Sequence, residues 1–306
     1  MNDFSGHPLF RRHTIDSAIG SLWEFYKSRF TSLFLISFFM SLVMQYSSTL
    51  IDLKELQSIT DPQEMLLKMK DYLLPMLAVS LISLLFTTIL HYYVLYHPVD
   101  PGNTLLVCAI HSLKYYLPYL VIIILLAFAG SAAIVLGLIA LVIGVFFALL
   151  YIFMIFLFIL PVMMVEGPNI GHTIVRSLRL AHRNFWPNMG WSAVFLVILI
   201  VISVILSGLI LLPFTGSFMR AIVTQDAGSA VDFATRPSFI LLSAAANALT
   251  FPLLPIFASI LYFHGKAGEE YRLSGSEADE PAGNVRVEDL YAKPWQDDGN
   301  EKTEND

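Results

Sequence analysis

The stretch LPVMMVEGPNIGHTIVRSLRLAHRNFWPNMGW, residues 160–191, decides how this chain is built. It begins where one long apolar run ends, and it stops where another begins. Between the two runs lie a helix breaker at residues 166–168, an amphipathic segment with three arginines, and an aromatic-proline boundary at residues 185–187. Basic residues between two uncharged runs predict a helix that lies on the cytoplasmic face of a membrane and joins two membrane-spanning helices.

The composition of the whole chain also indicates an integral membrane protein. Its 306 residues are 56% hydrophobic and 14% charged, with a mean hydropathy of +0.68, whereas soluble proteins carry roughly 25% charged residues. The net charge of −6 belongs to the C-terminal end, because twelve acidic and five basic residues follow Gly265. The sequence has no basic face suited to nucleic acid. The single cysteine, Cys108, excludes an intramolecular disulfide and a thiolate metal site.

Six apolar runs predict six membrane-spanning helices. They cover residues 31–50, 73–96, 118–136, 145–165, 191–212 and 238–263. The third and fourth lie in one uncharged run of 51 residues, which as a continuous helix would be about 77 Å long. Because the hydrocarbon core is about 30 Å thick, this run has to fold back, and Gly137 and Gly144 bracket the expected turn.

The two ends of the chain are predicted to be disordered. Residues 1–13 are polar, and residues 274–306 form an acidic tail that cannot bury enough apolar surface to offset the entropy of ordering it. The membrane domain therefore covers residues 14–273. With both termini in the cytoplasm, ten lysines and arginines flank the spans on the cytoplasmic side and five on the outer side. This distribution agrees with the positive-inside rule.

Three similar segments precede the odd-numbered spans. They are AIGSLWEFYKSRF from Ala18, AIHSLKYYLP from Ala109 and IVRSLRLAHRNFWP from Ile174. The simplest architecture is all-α, with three units that each combine an amphipathic helix on the cytoplasmic side with a two-span hairpin. The alternative is coincidence, because short amphipathic helices before spans resemble one another. A structure without surface helices before the first or third span would contradict the repeat.

A charged cluster follows the fourth span and is the first candidate site. It consists of Glu166, Arg176, Arg179 and Arg183. Glu166 is expected to pair with the arginines or to cap the N-terminus of their helix. The arginines are also placed to bind anionic lipid headgroups, which contribute about 1 kcal/mol per basic residue near the surface.

Four residues within the spans are candidates for helix kinks or polar contacts. They are His91, Asn247, Pro252 and Pro255. Prolines kink a spanning helix and free backbone carbonyls, and polar side chains in spans commonly bond neighbouring helices. None of the spans carries a charge near its centre, which argues against ion-coupled transport.

The same stretch and the end of the sixth span carry a resemblance to a known family. Residues that match its first pattern are Glu166, Ser177, Leu180, Phe185 and Trp186, and PLLPIFASILYFHGKAGEEYRL matches the second through Pro252, Pro255, Tyr262, Phe263, Lys266, Glu269 and Tyr271. The chain resembles the membrane domain associated with some bacterial glycerophosphodiester phosphodiesterases and related six-span bacterial membrane proteins. It departs at His264 and Lys266, where the family often has Asp-x-Arg, and at Glu270, where the family has glycine.

The resemblance implies a six-span protein of the bacterial cytoplasmic (inner) membrane. It does not imply phosphodiesterase activity, since that chemistry belongs to a separate barrel of about 250 residues, and about 40 residues follow the sixth span. The sequence has no phosphate-binding glycine loop, paired-histidine zinc helix or nucleophile elbow. We therefore expect no enzyme activity and no cofactor or metal.

The expected function is that of a lipid-interacting or scaffold component of the membrane. Its partners would be membrane lipids, with a homo-oligomer or another membrane protein as further candidates and no nucleic acid. The alternative is an uncoupled transporter or channel for a lipid or amphiphile. A packed bundle with an apolar crevice open to lipid would favour the first hypothesis, and a wide or polar cavity between the spans would favour the second.

Overall fold

The computed structural model describes residues 4–48, 62–100, 102–139, 141–216, 219, 223 and 235–278. In this part of the chain the protein is all-α, and six segments are long and apolar enough to cross a membrane. The helices are α1 (Ile15–Ser28), α2 (Phe30–Ser48), α3 (Pro62–Tyr96), α4 (Leu105–Ile139), α5 (Leu141–Glu166), α6 (Ile170–Arg183), α7 (Phe185–Leu211, followed by a 3-10 turn at Leu212–Phe214), α8 (Pro237–Thr250) and α9 (Leu253–Ala278).

The predicted spans correspond to helices, except that the sixth is divided between α8 and α9, and α3 and α4 are much longer than predicted. α3 and α4 each contain 35 residues, or about 52 Å of helix. A helix of that length exceeds the hydrocarbon thickness of about 30 Å, so it tilts or extends beyond the core. Residues 49 and 50, the end of the first predicted span, lie outside the described residues.

Two of the three predicted surface helices are separate helices. α1 begins with a reciprocal cap, in which the N–H of Ser17 donates to the hydroxyl of Thr14 at 3.3 Å and the N–H of Thr14 donates to the hydroxyl of Ser17 at 2.9 Å. It ends at Ser28, and the single residue Arg29 separates it from α2. α6 in the same way ends at Arg183, and Asn184 separates it from α7.

The second predicted surface helix is not a separate helix. Leu105–Ile139 is continuous, so the segment from Ala109 forms the first turns of the third span. Pro118 inside this helix removes only the N–H that would bond the carbonyl of Lys114, and no capping residue interrupts the chain there. The strict threefold repeat is therefore not observed. What the three segments share is a serine that is at most 5% exposed in each: Ser21, Ser112 and Ser177.

The third and fourth spans lie close together in sequence and in space. α4 ends at Ile139 and α5 begins at Leu141. A Cβ on Gly137 would lie 2.8 Å from the carbonyl oxygen of Gly144, so only glycine permits this approach of the two backbones. The apolar residues at the turn are not covered by other spans, since Ile139 remains 78% exposed.

The sixth span is broken into two helices at the predicted proline. α8 ends at Thr250, α9 begins at Leu253, and Phe251 and Pro252 form a turn between them. Pro252 cannot donate to the carbonyl four residues earlier, which is the usual cause of such a break. α9 continues to Ala278, so the first residues of the predicted disordered tail are helical. Residues 279–306 lie outside the described part of the chain.

The predicted disorder of the N-terminus is wrong for residues 4–13, here named the N-terminal segment. Phe4 is 4% exposed and Leu9 is 1% exposed. Nδ1 of His7 accepts from the N–H of Leu9 at 3.1 Å, and Nε2 donates to the carbonyl of Val94 at 3.2 Å. The segment is polar in sequence but packs against α3 and α9, because its few apolar residues and its histidines find partners there.

Burial is concentrated at one end of the bundle, here named the polar end. It comprises the N-terminal segment, the C-terminal ends of α3 and α5, α6, and residues 262–266 of α9. Runs of buried side chains occur at residues 90–96, 154–165 and 256–263. By contrast, much of the apolar surface of α4 and α7 is exposed, as expected for helices that face lipid. Residues 1–267 form one compact unit, and residues 268–306 form a second.

Candidate functional site

The chain turns from α5 into α6 at the predicted breaker. Gly167 has φ 114°, a left-handed conformation that glycine adopts without strain, and its N–H donates to the carbonyl of Met163 at 3.1 Å. Asn169 then caps α6, because its side chain accepts from the N–H of His172 at 3.0 Å. The cap is therefore Asn169, and the carboxylate of Glu166 is left for side-chain partners.

Glu166 is the centre of the charged cluster. Both of its oxygens lie 3.0 Å from Nε of Arg176, which donates to them. Nε2 of His172 lies 3.0 Å from the carboxylate, and the hydroxyl of Tyr262 donates to it at 3.1 Å. The side chains of Glu166 and Arg176 are only 12% and 16% exposed, so water competes weakly for the bonds between these two residues. The cluster fixes α6 against α5 and α9.

The three predicted arginines have different environments. Arg176 is bound to Glu166. Arg183 donates from its guanidinium to the carbonyl of Gly265 at 2.7 Å, which ties the end of α6 to α9. Arg179 is exposed, and within the described residues it has no ion pair. Arg179 is therefore the arginine of this helix that remains available to a lipid headgroup.

Two tyrosines that the sequence did not single out complete the polar end. The carbonyl of Met164 lacks a helical donor because the residue four positions later, Pro168, has no N–H. The hydroxyl of Tyr96 donates to this carbonyl at 2.6 Å, and that of Tyr115 donates at 3.2 Å. Two sequence features could have predicted the contact of these tyrosines with the carbonyl of Met164. One is a proline four residues after an apolar position, and the other is a tyrosine at the end of another span.

An apolar crevice of about 250 Å³ lies between α4, α5 and α6. Its lining is aliphatic except for two hydroxyl groups, those of Tyr151 and Ser177. The hydroxyl of Tyr151 lies 3.1 Å from Nε2 of His182, whose Nδ1 donates to the carbonyl of Leu178 at 2.8 Å. Nε2 of His182 is therefore the acceptor, and the Tyr151 hydroxyl donates its proton to it. Ser177 is the group in this crevice that can still donate.

The buried face of α6 carries two hydroxyl groups without partners. Ser177 is 1% exposed and Thr173, one turn earlier, is 0% exposed. Neither hydroxyl has a hydrogen-bond partner among the described residues. Buried polar groups are nearly always satisfied, so an unpaired hydroxyl needs a physical explanation. A ligand that accepts a hydrogen bond from Ser177 would supply one.

A second, smaller cavity lies beneath α1. Its volume is about 150 Å³, and it is lined by apolar residues of α1, α7 and α9, among them Ile19, Trp23, Trp191 and Phe257. Each of the two separate surface helices therefore covers an apolar crevice between spans. The crevice beneath α6 differs from this one because it also contains a buried hydroxyl donor.

The candidate residues within the spans are partly brought together. His91 and Pro255 line a cavity of about 390 Å³ at the break in the sixth span. Pro252 is buried at the break itself. Asn247 is half-buried, and its carbonyl accepts from the N–H of Phe251 at 2.9 Å. Asn247 does not line this cavity, and its role as a polar contact between helices stays a prediction.

The described residues contain no cluster of histidine, cysteine, aspartate or glutamate side chains arranged to hold a metal ion. The geometry instead consists of a charged cluster that positions a surface helix, two crevices covered by surface helices, and one cavity within the spans. The resemblance to the phosphodiesterase-associated membrane domain stays a prediction. No protein-family model matches the chain, and no curated protein or solved structure is significantly similar to it.

Proposed function

We propose that this multi-pass membrane protein binds an anionic phospholipid in the crevice beneath α6. In this role it acts without catalysis, as a lipid-interacting component of the bacterial inner membrane. The observation that carries the proposal is the buried, unpaired hydroxyl of Ser177 in an otherwise aliphatic crevice. An acyl chain would fill the aliphatic part, and an ester carbonyl at its end would accept from the hydroxyl.

The size and position of the crevice indicate that it would enclose only part of a lipid molecule. Its volume of about 250 Å³ is below the roughly 300–1,000 Å³ of pockets that enclose complete small ligands. The headgroup would therefore stay outside, at the membrane surface. Arg179 is exposed on the same helix, and a cation at that level attracts anionic phosphate by about 1 kcal/mol.

The proposed orientation places the polar end in the cytoplasm. Contacts at this end join the start of the chain to the end of α3, through Val94, and to α9, through Phe263 and His264. Lysines and arginines also favour this side by ten to five, and in bacterial membranes such an excess marks the cytoplasmic face. The lipid would accordingly come from the inner leaflet.

Native mass spectrometry of the full chain tests the proposal. The protein is purified with added palmitoyl-oleoyl phosphatidylglycerol or phosphatidylcholine, and the retained lipid is counted. Ala129→Phe should fill the crevice and abolish the tightest binding, and Ser177→Ala should weaken it about fivefold, the value of one net hydrogen bond. Arg179→Ala should reduce the preference for phosphatidylglycerol. Ser131→Ala is the matched control, because its hydroxyl bonds its own helix outside the crevice.

Two results would contradict the proposal. The first is equal retention of phosphatidylglycerol by the wild type and Ala129→Phe. The second is equal loss in Ser177→Ala and Ser131→Ala, since only the first of these hydroxyls lies in the crevice. Arg176 is not substituted, because its loss would release Glu166 and move α6. A decrease in lipid binding could then not be assigned to a lost headgroup contact.

The second candidate function is uncoupled passage of a lipid or amphiphile across the membrane. The cavity of about 390 Å³ within the spans favours it, since a passing molecule requires space at mid-depth. Reconstitution in vesicles with a fluorescent phosphatidylglycerol tests it. Transfer between leaflets no faster than in protein-free vesicles would exclude this function.

A further inference from the structure

The cavity at the break in the sixth span lies within the bundle of spans. Its walls come from α2, α3, α5, α7 and the α8–α9 break. Phe156 in its wall is separated from Glu166, at the polar end, by about 15 Å of helix, which is half the hydrocarbon thickness. The cavity shares no lining residue with the crevice beneath α6 and is therefore distinct from it.

Five polar side chains line this cavity, those of Ser83, Thr87, His91, Ser203 and Thr250, and three of them have their protons committed to backbone carbonyls. The hydroxyl of Thr87 donates to the carbonyl of Ser83 at 2.9 Å, and that of Thr250 donates to the carbonyl of Asn247 at 3.1 Å. Nδ1 of His91 lies 2.9 Å from the carbonyl of Thr87, so it carries the proton. These three side chains can therefore only accept a further hydrogen bond.

His91 is the strongest of these acceptors. The residue is 2% exposed, and the cavity lining contains no carboxylate that could stabilise a charged imidazole ring. A neutral ring with its proton on Nδ1 leaves Nε2 as an acceptor. A buried acceptor in an apolar span requires a donor, because an unsatisfied polar group there costs several kcal/mol.

Backbone groups at the same place can donate. α9 begins at Leu253, and the N–H donor of its first turn at the cavity is that of Leu254. Pro255 also lines the cavity but has no N–H, and the N–H of Ile256 donates to the carbonyl of Pro252 at 3.3 Å. The first N–H groups of a helix have no partner within the helix. A group that both donates to His91 and accepts from such an N–H matches the site, and a hydroxyl is the neutral group with both properties. A neutral group is favoured there over a charged headgroup, because a charge within the spans is costly.

We propose that this cavity binds a neutral amphiphile through a hydroxyl group, with its hydrocarbon chain along the apolar wall. The volume of about 390 Å³ falls within the range of small-molecule pockets. Ser203 of α7 lines the cavity and is exposed on the lipid-facing side. The amphiphile therefore enters from the bilayer and not from water.

Photo-crosslinking of the full chain in lipid nanodiscs tests this site. The probe is hexadecanol with a diazirine near the hydroxyl, and the control probe is its methyl ether, which can accept but not donate. Mass spectrometry of the labelled peptides should place the alcohol on residues 83–91, 199–203 and 250–255. The alcohol should label these peptides about fivefold more than the ether, since one net hydrogen bond separates the two.

Substitutions make the result specific to His91. His91→Phe keeps the ring but removes the acceptor, and it should lower labelling by the alcohol to that of the ether. His91→Gln keeps an acceptor and should retain part of the preference. Ser203→Leu narrows the entrance at a lipid-exposed position where folding tolerates leucine, and it should reduce labelling by both probes. Ser131→Ala should change neither.

Three outcomes would overturn the proposal. They are equal labelling by alcohol and ether in the wild type, labelling spread over the lipid-facing surface, and an unchanged preference in His91→Phe. Ala129→Phe, which fills the crevice beneath α6, should leave the labelling intact. A failure of the phospholipid proposal is therefore distinguishable from a failure of this one.

Discussion

Replacement of Glu166 by alanine should release α6 from the bundle while the spans remain folded. The carboxylate holds Arg176, His172 and the hydroxyl of Tyr262 at 3.0–3.1 Å. Without it, Arg176, whose side chain is only 16% exposed, loses its ion pair with Glu166. No other described contact of α6 binds three partners through one side chain, so this substitution should have the largest local effect.

The magnitude follows from the burial of the pair. Removal of one partner from a fully buried pair costs about 3–5 kcal/mol. Because both side chains are slightly exposed, the lower end of that range, about 3 kcal/mol, applies. Each 1.4 kcal/mol is a factor of ten in an equilibrium constant. The opening of α6 should therefore become about 100-fold more frequent.

Hydrogen–deuterium exchange in lipid nanodiscs measures this opening directly. Peptides that cover α6 should exchange about 100-fold faster in Glu166→Ala, and peptides from the middle of α5 should not change. Glu166→Gln should give an intermediate effect, because an amide oxygen still accepts from Tyr262 but carries no charge. Glu24→Ala, at an exposed position of α1, is the control. Exchange of α6 that is the same in Glu166→Ala and Glu24→Ala would refute the reasoning.

Two other features make predictions that can be measured separately. Gly137→Ala would place a methyl group 2.8 Å from the carbonyl of Gly144 and should cost about 1–3 kcal/mol of stability. Gly208→Ala, with nothing within 4 Å, should be neutral in the same thermal unfolding assay in detergent, and equal melting would contradict this packing. Burial lowers the pKa of His7 from 6.5 to about 4. The released N-terminal segment therefore binds a proton that the docked one does not, and acidification from about pH 7.5 to about pH 5 should weaken docking by about 2 kcal/mol. Limited proteolysis should cut the segment faster at the lower pH, and equal protection at both values would contradict this expectation.

The spans were predictable because the bilayer imposes a length and an apolar composition on them. The 51 uncharged residues had to fold back, and glycine at positions 137 and 144 marked where two backbones could approach. The break at Pro252 followed from the missing N–H of proline. These features depend on residues close together in sequence, for which local rules are sufficient.

The N-terminal segment could not be predicted in the same way. Its sequence, FSGHPLFRRH from Phe4, is as polar as many disordered termini. Its order depends on contacts with residues that are distant in sequence, such as the carbonyl of Val94 and the ring of Phe263, whose centroid lies 4.8 Å from that of His7. Composition alone carries no information about such partners.

The candidate site was predictable only where charge made it visible. Glu166 and Arg176 stood out because charges are rare beside spans, and the structure joins them. In the sequence, Ser177 was notable only because a serine recurs in the three similar segments before the odd-numbered spans and because it matches the family pattern. Its significance arises from the crevice beneath α6, which requires the positions of α4 and α5. The sequence does not show whether the hydroxyl group of a serine in a helix bonds the backbone of that helix or remains unpaired.

The arrangement of the polar end determines how a ligand could reach these cavities. Tyr96 and Tyr115 close on the carbonyl of Met164, the N-terminal segment packs over the end of α3, and Arg183 ties α6 to α9. In this conformation the axial route from that end into the bundle is therefore filled by protein. The exposed positions at the cavities, such as Ala129 and Ser203, face the lipid instead. Lateral entry from the bilayer is consistent with a protein that binds lipids. Axial transport would require the N-terminal segment to leave first, which links that function to the acid-sensitive docking of His7.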